Sequence, residues 1–495
     1  MMEPRPLVSQ LRRRLSDSRI RHRIASLAAG VLLLAGSGCV TNPATGQSQL
    51  VLIGAQQEMA MGRQAHGEIL ASMGAYENEA LQRYVAQVGR RVQAKAERPD
   101  LPWTFTVVDD PAVNAFALPG GFLYLTRGIL AHMTSEAQMA AVLGHEIGHV
   151  TARHSVEQMS RAQLAGLGML LGTIVAPELA ALGDVARAGV SLLFLGFSRE
   201  AERQADDLGL RYLGAAGYDP HGMIEVLTML DRTSGAEGRL PDWLSTHPNP
   251  ANRVARLAQR IGAAPRTPTV DEAFLRRIDG LVFGEDPRQG YFRDTRFYHP
   301  ELAFALRFPS GWKTANQRES VGAASPEGDA VVMLSLSAEG TVEAAAERMQ
   351  TQEGVVATAR RAGTIGGLPA IVVDFGAQTA QGAALRGRAA FVGYGKHVYR
   401  ILGYAADARF EARRDAISAS LASFAPLRDR RYLDVAPHRL ALVRVPRATS
   451  LESFVREHPS PVDAATIAAI NQLAPGERIP AGRLMKRVVG RPLPD

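Results

Sequence analysis

His145 and His149 stand four residues apart, with Glu146 beside the first, in the run His145-Glu146-Ile147-Gly148-His149. On an α-helix, positions i and i+4 project from one face about a turn apart, so two imidazoles at this spacing can reach one zinc ion. Glu146 sits about 100° round the same helix, where a carboxylate can address a water on an open metal position. The plainer reading is a helix with two structural histidines. A catalytic zinc takes a third protein ligand. A histidine at 155 with glycine at 152 would supply one known solution, but the chain has Ser155 and Ala152, which excludes that class. The stretch from Ser198 to Asp206 offers a glutamate instead, with Glu202 and Asp206 four residues apart. Glu202 can ligate, while Asp206 can accept a hydrogen bond from a ligating imidazole and fix its tautomer. Taken alone, that segment would be a charged, solvated helix face.

These residues need elements to hold them. Helical periodicity runs from about Gln56 to Ala96, from Ser135 to about Gln163, and from Ser198 to about Ile261 with breaks at Gly217 and Pro220. Alternation predicts strands closing at Val107-Val108, over Asn114 to Leu118 and over Phe122 to Thr126, the last two joined by Pro119-Gly120-Gly121. Residues 164–197 are apolar but interrupted by Pro177, Glu178, Asp184 and Arg187, which predicts buried or interfacial helices rather than a membrane span. After a loop rich in Pro, Thr and Ala at Gly262 to Val270, the texture becomes that of an α+β domain. Its strands are expected at Ala330–Ser337, Pro369–Phe375, Arg388–Gly393 and His397–Tyr404, with helices at Val342–Gln350 and Arg409–Ser423.

Length and charge set outer bounds. At about 150 residues per domain, 495 residues predict about three domains. The formal charge of +7 would suggest nucleic acid or a membrane surface, but seven arginines and two acids lie within residues 1–38. The remaining chain carries 49 basic and 47 acidic residues, so a nucleic-acid partner is not expected. A basic start, an apolar stretch from Ile24 to Gly38 and small residues before Cys39 read as an export signal. Cys39 is the only cysteine, which excludes an intrachain disulfide and any cysteine-based zinc finger. Its setting resembles a bacterial lipoprotein signal, which implies lipidation at Cys39 and membrane attachment. Val40 follows it without an aspartate to signal inner-membrane retention, so the outer membrane is favoured. Neither G-x-S-x-G nor G-x-x-x-x-G-K-[ST] occurs, so serine-hydrolase and P-loop readings have no support.

Five stretches together carry a family resemblance. They are Asn42-Pro43-Ala44-Thr45-Gly46, Asn114-Ala115-Phe116-Ala117-Leu118-Pro119-Gly120-Gly121, the HEIGH run with Ala152-Arg153-His154-Ser155, the Ser198-to-Asp206 helix, and Ser245-Thr246-His247-Pro248. Over residues 41 to about 260 the chain resembles the HtpX/CAAX-protease type of zinc metallopeptidase, in its exported lipoprotein branch. The resemblance implies one zinc ion held by His145, His149 and Glu202, with Glu146 as the base acting on polypeptide substrates. It also implies that a histidine at the position of His247 caps the metal and holds the enzyme latent. His247 and Arg253 are the candidates for stabilising a developing oxyanion. Asn114, Ala115 and Phe116 are expected on an edge strand to which an extended peptide adds by main-chain hydrogen bonds. His154 is expected off the ligand face, buttressing a helix contact.

The expected organisation is therefore a signal peptide (1–38), a mainly α-helical zincin-type metallopeptidase domain with a small β-sheet (39–285), an α+β module (292–428) and a small module (435–492). The α+β module resembles PsbP in its Phe308-Pro309-Ser310-Gly311-Trp312 turn and strand layout. The last module resembles a degenerate LysM domain, with Arg447-Ala448-Thr449 where Gly-Asp-Thr is usual. It implies peptidoglycan attachment or, as an alternative, a packing unit for the protease. The functional expectation is an endopeptidase for misfolded or stalled exported proteins. The competing class is a chaperone-like or scaffolding lipoprotein with a latent metal site.

Overall fold

The computed structural model describes residues 39–42, 44–175, 196–236, 242–247, 250–262, 268–379 and 382–494. The signal at 1–38 and most of the apolar stretch around 176–195 lie outside the described residues. Among the described residues no helix is long and apolar enough to cross a membrane.

The first helical pattern is two helices, Ala55–Ser72 and Glu79–Gln93. They part at Gly74, whose φ of 72° favours glycine, and Ala75 then bridges to Val108. A three-stranded sheet follows. Phe122–Thr126 lies in its middle, parallel to Thr104–Val108 and antiparallel to Ala115–Leu118, which forms one edge. The helix Glu136–Thr151 carries the HEIGH run. It starts where Ser135 accepts a hydrogen bond from Gln138 N, leaving fewer orphan donors at the first turn.

The second helical pattern is also two helices, because Arg153 takes φ 56° and the chain restarts as His154–Val175. Side chains hold that break. Asn42 Nδ2, just after the strand Cys39–Thr41, and Gln49 Nε2, within the paired strand Ser48–Leu50, donate to the carbonyl of Ala152 at 2.6 and 2.7 Å. Glu58, buried, accepts from both Arg98 and Arg153, at 2.7 and 2.8 Å.

The helix Arg199–Ala215, capped by Ser198, lies against the HEIGH helix at close range. A Cβ placed on Gly148 would stand 2.9 Å from the carbonyl oxygen of Ala205, and one on Gly209 would stand 3.0 Å from Gly144 C. Gly144 and Gly148 on one helix therefore face Ala205 and Gly209 on the other, and small residues let the backbones approach. The helices His221–Ala236, Asp242–Thr246 and Pro250–Ile261 complete this part.

The α+β module holds a seven-stranded antiparallel sheet, with Val355–Ile365 at one edge and Lys313–Gln317 at the other. In Ala330–Leu336 every second side chain is buried as far as Leu334, the alternation that a half-covered sheet imposes. The helices Val342–Gln350 and Asp407–Ala422 contribute Ala346 and Ile417 to its buried apolar clusters.

The small C-terminal module pairs Arg439–Arg444 with Leu484–Val489 and adds the helices Leu451–Glu457 and Ala464–Ile470. Its apolar residues share one core with the helices around the HEIGH run: Leu440, Phe454, Ile467 and Met485 join Met139, Leu227 and Leu230 in a single buried cluster. Lys486, buried, donates from Nζ to the carbonyls of Ala131 at 2.7 Å and Met133 at 2.6 Å. These contacts pack the module against the part of the chain that carries the HEIGH helix.

Candidate metal centre

Four buried side chains converge. His145 and His149 come from the HEIGH helix, Glu202 from the facing helix, and His247 from the end of Asp242–Thr246, with ligand atoms all within 4.8 Å of one another. His145 Nε2 and His149 Nε2 lie 3.0 Å apart. Glu202 Oε1 is 3.3 Å from His149 Nε2 and 2.8 Å from His247 Nδ1, and Glu202 Oε2 is 3.7 Å from His145 Nε2. The i, i+4 spacing and the glycine-lined helix contact together make this convergence possible.

The outer contacts orient the rings. Burial pushes the Asp206 carboxyl up, but the Arg253 guanidinium and the hydrogen bond from His145 outweigh it and hold it well below the usual carboxylate range. An ionised aspartate only accepts, so its 3.1 Å contact makes His145 donate from Nδ1 and leaves the Nε2 lone pair facing the cluster. Arg253 donates to Asp206 at 2.6 and 2.9 Å and places Nη1 2.7 Å from Glu202 Oε2. That last approach is an ion pair without hydrogen-bond alignment, and Glu202 Oε2 has no hydrogen-bond partner among the described residues. Burial raises the Glu202 carboxyl, yet His247, Arg253 and His149 together hold it well below its ordinary value.

Glu146, also buried, points to the other side of His247, whose Nε2 is 3.6 Å away. Burial raises the Glu146 carboxyl above its ordinary value, against the pull of His247 and His145. For His247, burial alone would lower the imidazole, but the carboxylates of Glu202 and Glu146 win and raise it. Trp243 stacks on His247 with centroids 4.4 Å apart, and Phe197 stacks on His149 at 4.1 Å.

This donor set fits a zinc ion. It consists of imidazole nitrogens and one carboxylate, of which Glu202 Oε2 is buried without a hydrogen-bond donor among the described residues. Arg253 is engaged with Asp206 and Glu202. Asn114 precedes the edge strand, and its Oδ1 is buried with no hydrogen-bond partner among the described residues. Ala115 and Phe116 follow it on that strand, both buried. Cys39 opens the first strand.

Sequence reasoning missed three contacts. His154 does more than buttress a helix: its Nδ1 lies 2.9 Å from His149 Nδ1, because the break at Arg153 turns it back towards the cluster. A straight helix would have carried it away, and no glycine marks the break. Trp243 and Phe197, the aromatic walls, carry no spacing signal at all.

Residues 79–261 match the model of Peptidase family M48. The chain is 31% identical over 256 residues to the beta-barrel assembly-enhancing protease of Yersinia pestis, covering 49% of this chain and 52% of that protein. It is 35% identical over 209 residues to the mitochondrial metalloendopeptidase OMA1 of Arabidopsis thaliana, covering 41% of this chain and 42% of that one. The chain thus spans about half or less of the length of these relatives. Among solved structures, cyanobacterial PsbP from Synechocystis sp. PCC 6803 aligns with a TM-score of 0.23 and 13% identity, over 26% of this chain and 91% of that one, which carries no weight here. His145, His149, Glu202, His247, Glu146 and Arg253 all fall inside 79–261, the segment that matches this family model, and His145, His149, Glu202 and His247 form its candidate metal group.

Proposed function

We propose that this protein is a zinc endopeptidase that hydrolyses misfolded or stalled exported polypeptides in the bacterial envelope. The observation that carries the reading is the buried convergence of His145, His149, Glu202 and His247 beside the Glu146 carboxyl. Zinc bound there by His145, His149 and Glu202 would acidify a water and polarise the scissile carbonyl. Glu146 takes the water proton and returns one to the departing amine, and its burial moves its carboxyl towards the pH at which such exchange is efficient. The substrate lies extended along Ala115–Leu118, the edge strand of its sheet among the described residues, where main-chain hydrogen bonds add a strand and Asn114 Oδ1 offers an acceptor to a peptide N–H. Arg253 holds Asp206 and Glu202 in place, and through them His145.

In the resting protein His247 fills the space between Glu202 and Glu146 and must swing aside before a carbonyl can enter. The same contact favours a second reading, a chaperone-like or scaffolding lipoprotein whose metal site stays latent. The envelope assignment draws on the relatives named beta-barrel assembly-enhancing protease. It is completed by lipidation at Cys39, with the outer membrane favoured, and by peptidoglycan contact through the C-terminal module. The test is substrate trapping with Glu146→Gln in the native envelope. Capture of unfolded envelope polypeptides that wild type degrades is expected, and capture of the same polypeptides without degradation by wild type would favour the scaffold.

A further inference from the structure

His149 differs from His145 in what holds its outer nitrogen. His145 faces an ionised aspartate, whereas His149 faces a second imidazole, His154, at 2.9 Å. The orientation of that second ring can be worked out from the outside inwards. Gln204 Nε2 donates to Gln47 Oε1 at 2.7 Å and lies 3.3 Å from Glu200 Oε1, so its amide oxygen is the atom facing His154 Nε2, at 3.0 Å. An amide oxygen only accepts, so His154 carries its proton on Nε2 and a lone pair on Nδ1. His149 must then donate from Nδ1, which leaves its Nε2 lone pair facing His145 and Glu202.

We propose that Gln47, Gln204 and His154 form a tautomer relay that fixes His149 as an Nε2 ligand, with His154 and Gln204 as positioning residues. The relay reaches the surface at Gln47, in the turn between Asn42 and the strand residue Gln49, which both also hold the Ala152 carbonyl. The turn between the two N-terminal strands is thereby part of the centre. A neutral partner makes His149 a weaker donor than His145, whose aspartate raises ligand basicity. The inference rests on the metal-centre reading, but its first readout does not need metal.

The test uses the full chain and three variants. Asn in place of His154 keeps an acceptor at the position of Nδ1, while Leu removes it; Gln204→Leu cuts the relay from a half-buried position if His154→Leu does not fold. In zinc-free protein, side-chain nitrogen chemical shifts are expected to place the His149 proton on Nδ1 in wild type and His154→Asn. In His154→Leu and Gln204→Leu it should redistribute towards Nε2. Zinc affinity by chelator competition is expected to fall about 10–100-fold in His154→Leu and to stay within about threefold of wild type in His154→Asn, as loss or rescue of an outer partner does. A wild-type His149 protonated on Nε2, or a His154→Leu protein with unchanged affinity and unchanged cobalt absorption bands, would overturn the relay. A wild type that binds no zinc, with the Nδ1 proton in place, would instead overturn the metal-centre reading and leave the relay standing.

Discussion

Gly148→Ala is the substitution whose consequence can be worked most directly from the geometry. Gly148 lies on the HEIGH helix where it meets the glutamate helix, and an added Cβ would stand 2.9 Å from the Ala205 carbonyl oxygen and 3.1 Å from Ala205 Cα. Both are backbone atoms, so no side chain can rotate away. Ordinary contact needs about 3.4 Å, so the helices must part by about 0.5 Å, and overpacking of this kind costs about 1–3 kcal/mol. The movement falls on the ligands. Gly148 precedes His149 and Ala205 is three residues beyond Glu202, whose Oε1 is 3.3 Å from His149 Nε2. Metal–ligand distances tolerate about 0.2 Å, so zinc affinity should fall at least about tenfold. Gly209→Ala, with a contact of 3.0 Å to Gly144 C, should behave similarly but more mildly. Gly214, exposed on the same helix with nothing within 4 Å, is the control, and Ala there should stabilise by about 0.5–1 kcal/mol. Urea unfolding and chelator competition measure both effects. A Gly148→Ala protein as stable and as tight for zinc as Gly214→Ala would refute the idea that close helix packing sets the ligand geometry.

Arg253→Met should destabilise the zinc-free protein by about 3–5 kcal/mol in urea, because it takes the nearest guanidinium from the buried carboxylates of Asp206 and Glu202 and leaves Asp206 only the 3.5 Å approach of Arg256. His247→Ala removes a 2.8 Å charge-assisted bond to Glu202 and should raise cleavage of an unfolded substrate about tenfold, the equivalent of one such bond; unchanged turnover would dismiss the latch. Burial holds the His132 imidazole down at about 4, while the unfolded chain protonates near its ordinary value of 6.5. Between those values the unfolded state binds more protons, so stability should fall by up to about 3 kcal/mol as pH drops from 6.5 to 4, and then level off. Denaturant midpoints across that window, with His132→Asn giving a flatter profile, check the sign.

The site residues were legible where a spacing maps onto one helix face. His145 with His149, and Glu202 with Asp206, are pairs four apart, and both pairs meet as that spacing demands. His247, by contrast, rested on a short motif, because nothing periodic connects it to a site 102 residues earlier. The break at Arg153 was not legible, since a non-glycine residue at φ 56° is held there by side chains from distant parts of the chain. In the α+β module, Ala330–Leu336 announced itself by alternation, whereas Val355–Ile365 did not. It is an edge strand with most side chains exposed, so neither face imposes a period. The C-terminal module shows a further limit. Its apolar residues are the same whether they close a separate domain or, as here, join the core that supports the HEIGH helix.

The most direct measurement is hydrolysis of an unfolded polypeptide by zinc-loaded wild type and Glu146→Gln, at matched metal content. Glu146 is buried 3.6 Å from His247, at the edge of the cluster and outside it. The variant should therefore bind one zinc per chain as wild type does, yet lose about 10²–10⁴-fold in cleavage rate. Equal cleavage by the two proteins, or cleavage by neither with zinc bound in both, would contradict the endopeptidase assignment.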